Sequence, residues 1–76
     1  MSAARRSSAR VRFATLTPRE REVVLLIARG RNNLAIAEEL GISRETVKRH
    51  VSSILKKVDR TNRTEVALDA VAQGYR

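Results

Sequence analysis

From Leu16 onward, apolar residues recur with a helical period in four stretches separated by turn residues. In the first stretch Val23, Val24, Leu26 and Ile27 share one broad face, and Leu25 points away from it. The second carries a short stripe of Ile36, Ala37 and Leu40. In the third, Val47, Val51, Ile54, Leu55 and Val58 fall within an arc of about 100°. Glu45, Lys48, Arg49, Ser52 and Lys56 occupy the opposing arc. The fourth stretch gathers Val66, Ala67, Ala70 and Val71 on one face, with Leu68 and Ala72 off it. No segment alternates with period two over a convincing length, so no strand is predicted.

Residues at the ends of these stretches sharpen the reading. Thr17 is a good N-cap, Pro18 suits the first helical position, and Glu20 completes a Thr-x-x-Glu capping box. Leu16, just outside, is placed to staple onto the first turn. The first helix is predicted to run to about Arg29, with Gly30 as a left-handed stop. Asn32 or Asn33 caps a second helix that ends at Leu40, before Gly41. Ser43 caps the third, over about 44–58. Asn62 and Glu65 repeat the capping-box spacing and open a fourth that reaches about Gln73, before Gly74. Residues 16–76 are therefore predicted to be an all-α, four-helix domain. Residues 1–15, rich in Ser, Ala and Arg and lacking a period, read as a disordered basic arm or linker.

Composition narrows the function. A chain of 76 residues has room for one small domain and little room for an enclosed catalytic cleft. It has no cysteine and a single histidine, His50, with no carboxylates at ligand spacing; no metal or other cofactor is expected. The longest apolar run, residues 23–28, is far too short to span a membrane, no secretory signal is visible, and a cytoplasmic location is expected. The net charge is +8, which calls for an anionic partner. Two aromatic residues, Phe13 and Tyr75, are too few for a base-stacking single-strand binder. The positive excess is concentrated. Residues 1–15 carry four arginines and no acid, and residues 43–63 carry seven bases against two acids.

Residues 36–51, IAEELGISRETVKRHV, bring these features together. Ala37 is small enough for a following helix to cross closely. Gly41 supplies a positive φ for a sharp reversal, Ile42 plugs the corner, and Ser43 caps the next helix. Val47 and Val51 anchor that helix on the one before it. This is the pattern of a helix-turn-helix, whose second helix enters the DNA major groove.

At this point the chain resembles a known family, the LuxR-type (GerE-like) helix-turn-helix domain of bacterial transcription regulators. The matching stretches are LTPRERE at 16–22, IARG at 27–30, IAEELGIS at 36–43, TVKRHV at 46–51 and NRTEV at 62–66. The resemblance implies a four-helix output domain, commonly placed behind a receiver or ligand-sensing domain. Its third helix would read DNA and its fourth would dimerise. Two positions depart from the pattern. Leu34-Ala35 replaces a usual Lys-Glu, and Val58-Asp59-Arg60 replaces a usual Leu-Gly-Val.

Residue roles follow from the face and the resemblance together. Lys48 and Arg49 are the leading base readers, donating to guanine O6 and N7, with Ser52 beside them. Thr46, Arg44, Lys56, Lys57, Arg60, Asn32 and Asn33 are candidates for phosphate contacts. For Thr46, Asn32 and Asn33 a purely local capping or turn role competes with that assignment. Glu20 and Arg63 match family positions and could pair, tying the first helix to the fourth. Leu68, Val71 and Ala72 are the candidate dimer contact. The expected partners are double-stranded DNA, a second copy of the chain, and RNA polymerase. Two further readings compete: a protein-interaction module that keeps the fold, for which Leu25, Leu34 and Leu68 would speak, and a sigma-factor-like promoter-recognition domain. The capped fourth helix argues against the latter. No nucleophile–base pair or acid–base pair supports an enzyme.

Overall fold

The computed structural model describes residues 8–76. Among them the helices are, in chain order, α1 (Ala9–Phe13), α2 (Pro18–Ala28), α3 (Asn33–Leu40), α4 (Arg44–Lys57) and α5 (Arg63–Ala72). The last four are those that the periodicity predicts, with ends displaced by one or two residues.

Side chains at the N-termini explain where these four begin. Thr17 and Glu20 form the reciprocal box: the Glu20 amide donates to Thr17 Oγ1 at 3.1 Å, and the Thr17 amide donates to Glu20 Oε1 at 2.9 Å. Asn32 accepts from the Ala35 amide, Ser43 from Thr46, and Asn62 from Glu65. Each bond satisfies a backbone donor that has no partner inside its helix. The box at Asn62 is only half formed. The Glu65 carboxylate turns back to the amide and hydroxyl of Thr61, one residue earlier than the pattern predicts.

The C-terminal ends follow a second rule. After α4 the chain enters the left-handed region at Asp59, with φ 57°. The Arg60 amide closes onto Leu55 O at 3.0 Å and the Asp59 amide onto Lys56 O at 3.3 Å. This paired closure normally recruits glycine. Here an aspartate adopts it, within the Val58-Asp59-Arg60 segment.

The apolar faces meet in one core. Val23, Val24, Ile36, Val47, Ile54, Val58 and Val66 are fully buried, and each contributes on the order of 1.5–3 kcal/mol. α2 packs on α5 and α4, and α3 packs on α4. Ala37 is buried at the α3–α4 crossing, as its size requires. Gly41 turns the chain with φ 69°, and the Ile42 amide returns to Ala37 O at 3.0 Å. The helix-turn-helix expected from residues 36–51 is formed.

One expectation is corrected. Part of the segment read as a disordered arm is structured: Ser8 caps α1, and Phe13 is buried. The Phe13 ring meets Tyr75 edge-on, with centroids 5.8 Å apart. Arg12 Nε donates to Val58 O, the carbonyl at the end of α4, at 3.0 Å. A five-residue helix is unstable alone, so these long-range contacts hold it in place. The rest of the predicted arm, including Arg5 and Arg6, lies outside the described residues. Among the described residues no helix is long and apolar enough to cross a membrane.

Candidate nucleic-acid interface

α4 is the helix that presents chemistry outward. Its 14 residues give it a length of about 21 Å. Val47 and Ile54 are buried on its inner side, and Val51 and Leu55 are partly buried against the same core. The opposite side presents Glu45, Lys48, Arg49, Ser52 and Lys56, which with Ser53 at the edge toward α2 form a shallow groove of about 480 Å³. Lys48, Arg49, Ser52 and Lys56 are exposed there. None of Arg44, Lys48, Arg49 or Lys56 has a hydrogen-bond or ion-pair partner among the described residues. Four cations thus stand uncommitted on or beside one helical face, with Ser52 leaving room between them.

The start of α4 is fixed by Ser43, whose hydroxyl also lies 2.9 Å from Thr46 Oγ1. The local helix-start bond foreseen for Thr46 is therefore formed, and its hydroxyl retains further hydrogen-bonding capacity. Asn32 is the cap of α3. His50 is half-buried, and among the described residues no three His, Cys, Asp or Glu side chains gather as a metal set would require.

Besides Thr46 and Asn32, which bond within their own helix starts, three of the predicted phosphate contacts are engaged by side chains distant in the chain or on another element. Lys57 Nζ donates to Glu20 Oε1 at 2.8 Å. Arg60 Nε donates to Asp69 Oδ2 at 2.7 Å, an ion pair that raises the Arg60 pKa. Asn33 Oδ1 accepts from Arg63 Nη1 at 2.6 Å, and Arg63 Nη2 also reaches Arg31 O. The suggested Glu20–Arg63 pair is not formed. Arg63 instead clamps the α2–α3 turn to the start of α5, and burial lowers its pKa.

Glu20 is the buried polar residue among those described. It is 4% exposed and accepts three hydrogen bonds, from the Thr17 amide, Lys57 and Ser53. Burial by itself would push its pKa up. The bonds from Lys57, Thr17 and Ser53 outweigh that penalty and hold it at about 2. The sequence placed Glu20 in its cap but gave no sign of Ser53 as its partner. The available signal was spacing: Ser53 and Lys57 are four residues apart, on the flank of α4 that faces α2.

The outer face of α5 carries exposed apolar side chains. Leu68 is 67% and Val71 47% exposed, and Ala72 is exposed beside them. Val71, assigned by its period to the inner face, lies largely outside the core. Leu34, at the first family departure, is 48% exposed.

Comparison with known proteins adds a family. The model of bacterial regulatory proteins of the luxR family matches residues 14–70. The transcriptional regulatory protein LiaR of Bacillus subtilis is 48% identical over 56 residues, covering 74% of this chain and 26% of that protein. The two-component response regulator PprB of Pseudomonas aeruginosa is 45% identical over 56 residues, or 74% of this chain and 20% of its own length. The nitrate/nitrite response regulator protein NarL of Escherichia coli K12 is 49% identical over 53 residues, or 70% and 24%. The chain spans about a quarter of the length of these relatives.

Proposed function

This chain belongs to the luxR family of bacterial regulatory proteins, a family of DNA-binding regulators of transcription, and from that premise we propose that it reads duplex DNA in sequence with α4 in the major groove. The observation that carries the reading is the outer face of α4. Lys48 and Arg49 stand uncommitted on a capped helix whose other side is locked into the core. Arg49 and Lys48 donate to guanine O6 and N7, and Ser52 permits close approach of the helix to base edges. Arg44, Thr46 and Asn32 contact phosphates at the starts of α4 and α3, where the helix dipoles also favour negative charge, and Lys56 contacts one from the last turn of α4. Lys57, Arg60 and Asn33 are held by charged side chains of other segments, Glu20, Asp69 and Arg63, and are left out of this set.

Two copies meet through Leu68, Val71 and Ala72 of α5. An isologous contact of this kind sets two recognition helices on half-sites about one helical turn apart.

The test compares a preferred duplex with a scrambled one. Arg49→Ala is expected to cost about 1–3 kcal/mol of discrimination. Lys56→Ala should weaken both duplexes alike and flatten the slope of log K against log salt by about 0.9. If each substitution affected the two duplexes equally, the assignment of base reading to Arg49 would fail.

A further inference from the structure

Lys57 lies one helical turn beyond Ser53, on the flank of α4 that faces α2, and follows Lys56 of the groove lining in sequence. It is one of the bases of residues 43–63 expected to meet a DNA backbone. Its side chain instead turns toward α2. The ammonium sits 2.8 Å from Glu20 Oε1, and Ser53 Oγ donates to Glu20 Oε2 at 2.7 Å. The Glu20 side chain is 6% exposed against 35% for Lys57, so the carboxylate is the fixed partner and the lysine the recruited one. A buried carboxylate cannot readily give up its counter-charge, because an unpaired ion in the core is strongly disfavoured. Lys56, one residue earlier, has no such partner and points into the groove.

We infer that Glu20 is a positioning residue of the recognition helix: it holds Ser53 and Lys57 on the inner flank of α4 and withholds the Lys57 ammonium from the DNA backbone. The inference rests on the DNA-binding reading and adds a division of labour to it. Of two adjacent lysines, Lys56 engages phosphate, and Lys57 spends its charge on the fold. Glu20 acts on DNA only through Lys57.

Salt dependence separates this role from a merely structural one. A variant that lowers the folded fraction scales binding by the same factor at every salt concentration. A gained or lost phosphate contact changes the slope of log K against log salt, by about 0.9 per contact. The slope is measured on one duplex for the unmodified chain, Lys56→Ala, Lys57→Met, Glu20→Gln, and the Glu20→Gln/Lys57→Met double variant. The double variant removes both charges and so leaves no unpaired ion if Lys57→Met alone folds poorly. Lys56→Ala should flatten the slope by about 0.9, and Lys57→Met should leave it unchanged. Glu20→Gln should free Lys57 and steepen the slope by about 0.9, with the same gain on a scrambled duplex, since phosphate contacts carry no sequence information. The double variant should return to the starting slope. A slope flattened by Lys57→Met, or unchanged by Glu20→Gln, would overturn the inference. No salt-dependent binding by the unmodified chain would overturn the DNA reading itself, and this inference with it.

Discussion

Glu20 is buried and ionised, and the three bonds it accepts join a helix cap to the flank of α4. A carboxyl held at about 2 rather than 4.5 favours the folded state by about 2–3 kcal/mol at neutral pH, the lower figure allowing for the solvent that reaches Lys57. Its folded pKa is depressed. The contribution is therefore complete above about pH 4.5 and disappears as pH falls toward 2. Urea unfolding at pH 7 and pH 3 should show that loss, and Glu20→Gln should remove most of the difference. Asp59 supplies a second prediction. It adopts φ 57°, a conformation that disfavours most side chains, so Asp59→Gly should stabilise the domain by about 0.5–1 kcal/mol. Thermal melting should rise by a few degrees. At this scale the sequence was readable where the chemistry is local. Thr17, Ser43 and Asn62 were identified as caps, and the cap of α3 was narrowed to Asn32 or Asn33, because a cap depends on residues three positions apart. The Ser53–Glu20 and Arg63–Asn33 contacts were not identified, because they join residues 33 and 30 positions apart.

The four longer helices were legible because each carries both a period and a start signal. α1 was not. With five residues it completes little more than one turn, too few for a period to emerge, and its neighbours are serine and arginine. What fixes it is Phe13, seated against Tyr75 from the far end of the chain. Phe13→Ala should therefore destabilise the whole domain by about 3 kcal/mol, as a core substitution does, rather than merely loosen an appendage. Chemical unfolding of the variant measures this directly, and a change below about 0.5 kcal/mol, the range of ordinary surface substitutions, would show that α1 is dispensable. On α4 the period separated Lys48, Arg49, Ser52 and Lys56 from the core face. It also left Lys57 out of that set, but it could not show that Lys57 pairs with Glu20, because that contact depends on where α2 lies. On α5 the period overfilled the inner face: Val71 is 47% exposed, together with Leu68, and supplies apolar surface that a second copy would cover.

Across the molecule, much of the basic excess of residues 43–63 is concentrated on one surface. Lys57 and Arg60 are neutralised internally by Glu20 and Asp69, while Arg44, Lys48, Arg49 and Lys56 remain uncommitted along α4. The acids Glu38 and Glu39 lie on α3, Glu39 within reach of Arg31 at 4.0 Å. A cationic helix face on a rigid frame, with an apolar face on a separate helix, is the arrangement a paired DNA reader needs. Sequence reading by α4 is tested most directly by selecting binding sites from a random duplex pool with the purified chain, then comparing the enriched duplex with a scrambled one at two salt concentrations. The expected result is a guanine-containing motif in two half-sites about one helical turn apart, with a preference that survives the higher salt. Salt-sensitive binding with no enriched motif would contradict it and leave only a cationic surface.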